Sequence, residues 1–176
     1  MGSLSLFSWW SMMMVVLFLS FRPSLSSTQE LVEKICRSTE NYGFCAGVYN
    51  KNVHDPNTDI TRLCEVAVTQ TLVHGTDARI FVTESKNRAK DKITHDLYMI
   101  CETAYGFLLN EFEDASLAFA KRDYNSMLFN EEKCNRFVAD CQKVIGYRVA
   151  PLSTMNNQMR VLISMSLITT SMIIDG

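Results

Sequence analysis

Apolar residues return at three- and four-residue intervals along most of the chain beyond residue 56. Ile60, Leu63, Cys64 and Ala67 fall at i, i+3, i+4 and i+7, the stripe that one face of a helix buries. Pro56 stands in a turn, HDPNTD, after which Thr58 or Asp59 can cap a helix. The pattern predicts a first helix to about residue 90, with a kink near His74 and Gly75. Leu97, Cys101, Ala104, Leu108 and Ala115 carry a second stripe over 92–120, with Glu111, Glu113 and Asp114 as its solvated face. Lys121, Arg122 and Asp123 suit a turn. A third helix over 123–145 carries Met127, Leu128, Phe137, Val138, Cys141 and Val144. Gly146 can end it with a positive φ, and Pro151 opens a last helix over 152–173. Four long helices with short connections predict an all-α fold, an antiparallel up-down-up-down bundle over 57–176. Residues 27–56 precede it as a short helical arm.

The residues before position 27 change the compartment. Residues 6–21 read LFSWWSMMMVVLFLSF, sixteen positions without a charge, where a membrane span needs roughly 20 apolar residues. Ser24 and Ser26 are small residues placed as a signal peptidase requires. Residues 1–26 are therefore expected to be a cleaved signal peptide, and 27–176 the secreted domain. Formal net charge is −2, which points away from nucleic acid and anionic membranes. The apolar end of the last helix, from Val161 to Ile174, suits a bundle core better than a lipid-anchor signal.

Six cysteines, Cys36, Cys45, Cys64, Cys101, Cys134 and Cys141, all lie in the secreted part. An even count in an oxidising compartment reads as disulfides, and six allow fifteen connectivities. If Cys101 faces Cys141, neighbouring antiparallel residues sum to 242 and the turn falls at Lys121, as the pattern has it. The same register sets Cys134 level with Leu108. Cys64 then lies roughly 12 Å from that level, too far for a bond, so Cys64 and Cys134 read as buried free thiols. A kink would leave a third bridge open. A bond from Cys36 to Cys45 would close the arm into a hairpin.

No enzyme signature accompanies these cysteines. His54, His74 and His95 have no ligand spacing, Cys134 has no nucleophile setting, and no glycine-rich phosphate loop occurs. The chain is expected to be no enzyme and to hold no metal or cofactor.

The C-x8-C and C-x39-C spacings, with the segments ICRSTENYGFC, LYMICETAYGFLL, LAFAKRDYNSM, FVADCQ and APLSTMNNQMRVLISMSLI, resemble the plant invertase/pectin methylesterase inhibitor family across the secreted chain. The resemblance is to its pollen-type putative invertase inhibitors above all. It implies a disulfide-stapled four-helix bundle with an N-terminal hairpin arm, bridged Cys36–Cys45 and Cys101–Cys141. It also implies a secreted inhibitor, in the apoplast or the vacuole, whose protein partner is an invertase or a pectin methylesterase. Docking would be steric and one to one, with the second and third bundle helices facing a pectin methylesterase; the arm can also serve a homodimer. Cys64 and Cys134 are additional to the family's four cysteines. The Pro-Lys-Phe tripeptide of some invertase inhibitors is absent; Tyr147, Arg148 and Pro151 in the corresponding connection are the candidate contacts. The alternative is a secreted bundle that kept the fold without an inhibitory target.

Overall fold

Four short polar side chains decide where helices begin. In a computed structural model that describes residues 27–146 and 149–176, Asn41, Asp59, Asp91 and Asp123 each accept a hydrogen bond from the backbone N–H three residues on, at 2.9–3.1 Å. Each satisfies one of the donors a helix start leaves unpaired. The helices among the described residues are α1 (Ser27–Arg37), α2 (Tyr42–Asn52), α3 (Ile60–Arg88), α4 (Lys92–Ala120), α5 (Tyr124–Glu132), α6 (Cys134–Ile145) and α7 (Ala150–Asp175). The expected signal peptide, residues 1–26, lies outside the described residues, as do Tyr147 and Arg148.

α3 runs without a break through His74 and Gly75, where a kink was expected. Gly75 serves the packing instead: a Cβ there would sit 2.9 Å from Leu109 Cδ2 and 3.3 Å from Leu108 Cδ2, so its absence lets α3 and α4 approach closely. α4 ends in a two-bond left-handed cap. Asp123 N–H bonds Ala118 O and Arg122 N–H bonds Phe119 O, both at 2.9 Å, with Arg122 at φ 58°, the arrangement of a Schellman motif.

The expected third helix is two helices. At Lys133 the backbone keeps right-handed dihedrals, φ −71° and ψ −24°, but its N–H turns to Glu131 O and the ladder is interrupted. The cause lies in neighbouring elements. Lys133 Nζ reaches Glu111 on α4 at 2.8 Å, while Glu131 turns inward to take a hydrogen bond from Ser166 on α7. Glu111, read from the pattern as solvated, is thus an ion-pair partner.

α4 packs along α3 and along α5 and α6, and α7 closes the ring against α3, α5 and α6. Val82, Leu108, Phe112, Met127, Val138, Leu152, Met159 and Ile163 fill the centre. The arm folds back on this ring. Ile35, Val48 and Tyr49 of α1 and α2 pack with Leu63, Val66 and Ala67 of α3 and with Val161, Leu162 and Met165 of α7. An eleven-residue helix cannot bury a core alone; the arm borrows the bundle's. Disulfides join Cys36 to Cys45 within the arm and Cys101 to Cys141 across α4 and α6, with Cα separations of 5.4 and 4.6 Å.

Candidate target-binding surface

Seven-residue spacing sets Ile93, Ile100 and Phe107 on one side of α4, outside the core stripe. All three are exposed, Phe107 by 53% and Ile93 by 76%. Large apolar groups in that state are informative when they cluster, and here they do. Met99, Ile100, Thr103 and Phe107 of α4 face Arg136, Phe137 and Asp140 of α6 across a groove of about 380 Å³. The Phe107 and Phe137 rings lie 5.6 Å apart, and the Arg136 guanidinium sits 5.4 Å over Phe137. Phe137, counted from the pattern as core, is partly buried against the core and also lines this groove.

The two walls of the groove are joined covalently. Cys101 follows Ile100 and Cys141 follows Asp140, so the disulfide ties α4 to α6 one residue along the chain from groove-lining positions on each helix. A surface held in this way loses little freedom on docking, which favours affinity. At the α5 end, Phe129 is 63% exposed beneath the Lys133 ammonium, 4.2 Å from the ring centroid. The Lys133–Glu111 pair ties α6's start to α4 there.

A second feature surrounds the connection before α7. Tyr105 donates to Asn156 Oδ1 at 2.7 Å, Asn156 Nδ2 to Gln142 Oε1 at 2.8 Å, and Gln142 Nε2 to Gly146 O at 2.7 Å. Ser153 Oγ also donates to Gly146 O, at 2.9 Å. This chain runs from the core to the carbonyl that precedes Tyr147. Burial raises the Tyr105 phenol well above its ordinary value of 10.0, so it remains a donor. Pro151 is exposed in the first turn of α7. It does not line the Phe107 groove.

The other singled-out residues do other things. Cys64 and Cys134 are free and buried. Cys134 lies beside Leu108, its thiol 4.0 Å from that carbonyl and 3.5 Å from Asn130 O. The Cys64 thiol is 3.7 Å from Thr170 Oγ1. Burial pushes them up to about 11 for Cys64 and about 12 for Cys134, which keeps both protonated and poor nucleophiles. His74 packs edge-on against Phe44, centroids 6.0 Å apart, and its Nδ1 lies 3.0 Å from Gln70 O. His95 sits 3.4 Å from Asp96. Among the described residues no group of three His, Cys, Asp or Glu side chains could hold a metal ion. No helix among them is long and apolar enough to cross a membrane.

Periodicity alone did not select Met99, Ile100 and Phe107. The available signal was that they are apolar yet off the buried stripe.

The chain is similar to proteins known by sequence and by structure. A pectinesterase inhibitor of Actinidia deliciosa is 25% identical over 120 residues, covering 66% of this chain and 65% of its own length; the match thus spans just under two thirds of that relative. The crystal structure of a mutant form of a pectin methylesterase inhibitor from Arabidopsis superposes with a TM-score of 0.72 at 17% identity, over 80% of this chain and 95% of that one. A second, a pectin methylesterase inhibitor from Arabidopsis thaliana, gives 0.62 at 16% identity, over 81% and 95%. At such identities the structures establish a common fold. Residues 30–168 match the family described as plant invertase/pectin methylesterase inhibitor, and the chain belongs to that family.

Proposed function

We propose that the protein is a secreted inhibitor of a plant cell-wall carbohydrate-active enzyme, a pectin methylesterase before an invertase, and has no catalysis of its own. The observation that carries this reading is the apolar groove between α4 and α6, clamped by Cys101–Cys141. Docked over a substrate cleft, one copy per enzyme, it would exclude the polymer by volume. An interface of standard size, about 1,600 Å², suffices for tight binding when the surface is rigid. The secreted location rests on the leader expected over 1–26 and on the two disulfides. Pectin methylesterase comes first because the curated relative inhibits pectinesterase and the chain has no Pro-Lys-Phe tripeptide. Tyr147, Arg148 and Pro151 are the contacts for the invertase reading.

The test is titration of the purified protein into a plant pectin methylesterase and, in parallel, a plant acid invertase at pH 5, following residual activity. Saturable loss of esterase activity near one to one is expected. Phe107→Glu should weaken that inhibition by about 30-fold or more, as a central aromatic anchor does when lost. Loss of invertase activity alone, or full inhibition by the variant, would displace the α4–α6 reading. No loss of either activity from folded protein would leave a non-inhibitory secreted bundle.

A further inference from the structure

Glu131 is 0% exposed, although acidic side chains are almost never fully buried without a partner. Its Oε1 takes the Ser166 hydroxyl, while its Oε2 has no hydrogen-bond partner among the described residues. It stands two residues before Lys133, where α5 passes into α6 and the helical ladder is interrupted. A buried carboxylate needs a cation or several donors. The charged and titratable groups around it supply neither. From α3 comes the Cys64 thiol and from α6 the Cys134 thiol; both feel the Glu131 charge and both are held protonated by burial. α7 offers only the Ser166 and Thr170 hydroxyls. The ammonium of Lys133, two residues on, is engaged by Glu111 of α4. Asn130 takes that ammonium too, and Phe129 lies beneath it.

We infer that Glu131 is a proton-operated latch on the α5–α6 joint, closed when the carboxyl is neutral and loosened when it ionises. The acid form carries no charge, still accepts from Ser166 through Oε1 and needs no counter-ion. The carboxylate leaves a desolvated charge at the one place where the third bundle column is already interrupted. Burial pushes the Glu131 carboxyl up to about 7 from its ordinary 4.5, with Ser166 and Thr170 opposing the shift. The folded chain therefore holds a proton that the unfolded chain has released. Stability from this group is complete below about 4.5, falls as pH rises toward about 7, and levels off above it. The joint carries Phe129 on one side and Arg136 and Phe137 on the other, so, resting on the docking reading above, the latch would bias that face toward acidic surroundings.

The test is equilibrium unfolding in urea between pH 4.5 and 8.5 of wild type, Glu131→Gln and the exposed-neighbour variant Glu132→Gln. Wild type and Glu132→Gln should lose folding constant by roughly tenfold per pH unit up to about pH 7, beyond whatever loss Glu131→Gln shows. Equal pH slopes for wild type and Glu131→Gln would overturn the latch. If Glu131→Gln does not fold, carboxyl carbon NMR of wild type decides: a midpoint well above 4.5 supports the latch, and one at 4.5 or below removes it. None of these readouts requires an enzyme target. A proton-linked bundle that inhibits nothing would keep the latch and discard the inhibitor, whereas an inhibitor without the slope would do the reverse.

Discussion

Two residues of the described chain have positive φ, and they are unlike. Arg122, at φ 58°, holds the left-handed position of the α4 cap, where a side chain with a Cβ costs about 1–2 kcal/mol. Gly146, at φ 55° and ψ −139°, occupies a region that side chains with a Cβ scarcely enter, and its carbonyl accepts from Gln142 and Ser153. Its surroundings are open, with nothing within 4 Å of an added Cβ, so any substitution cost there is conformational. Paired changes should therefore move stability in opposite directions. Arg122→Gly should gain about 0.5–1 kcal/mol, the relieved strain less glycine's greater unfolded freedom. Gly146→Ala should lose about 1–3 kcal/mol. Urea midpoints at constant slope measure both; a destabilised Arg122→Gly would show that the Arg122 side chain has a contact worth more than its strain. Gly146's role was legible from its place at the end of an apolar stripe. Arg122's was not, because nothing in its chemistry favours φ above zero and only the two-bond cap imposes it.

At the scale of elements, the two disulfides differ in what they restrain. Cys36–Cys45 closes a separation of nine residues and Cys101–Cys141 one of forty. In the chain-entropy account the first restricts the unfolded chain by about 2.5 kcal/mol and the second by about 4 kcal/mol. The double variant Cys101→Ser/Cys141→Ser should accordingly lose more stability than Cys36→Ser/Cys45→Ser, by roughly 1 kcal/mol or more. It should also weaken target inhibition, because only its disulfide joins the two helices that form the groove. Unfolding curves and inhibition assays on the two variants check both halves; equal inhibition by the two would mean that packing, not the clamp, orders the groove. α4 was legible to its ends because Asp91 caps it, the apolar stripe is unbroken and Lys121–Asp123 stops it. The break at Lys133 was not. Its causes are Glu111, twenty-two residues away, and Ser166, thirty-five residues from Glu131, and a local pattern contains neither. That Ile100 and Asp140 lie near each other was implicit in the antiparallel sum through Cys101 and Cys141, the residues that follow them. Which side chains that register leaves in the groove depended on how far each helix is turned about its axis.

Across the whole molecule, a set of carboxylates is linked to pH with a sign opposite to that of Glu131. The Tyr42 hydroxyl and then Arg37 hold Glu33 below its ordinary value, and caps and ion pairs do the same for Asp91, Asp96, Glu102 and Asp123. Stability from such groups is present above the unfolded values, 3.8 for Asp and 4.5 for Glu, and is lost as pH falls through the lower folded values. Glu102 is the one among them that joins bundle helices: on α4 it receives Lys86 and Thr83 of α3, the hydroxyl at 2.7 Å, and those hydrogen bonds, Lys86 first, lower it. Protonating those surface carboxylates thus weakens the fold in acid, below their ordinary values, and ionising the buried carboxyl weakens it above about 4.5. The two limbs leave a maximum near pH 4–5, more acidic than the usual range of about 5–8. Calorimetric melting from pH 2.5 to 8 should show that dome. Glu102→Gln should melt below wild type at pH 5, and the gap should close as wild-type Glu102 itself becomes protonated. A gap that stays constant down to pH 2.5 would mean the α3–α4 bridge contributes through packing alone; a broad plateau from pH 5 to 8 would mean no buried carboxyl opposes the surface groups. A dome centred in acid would match the stability of this bundle to the acidic cell wall in which the inhibitor reading places it.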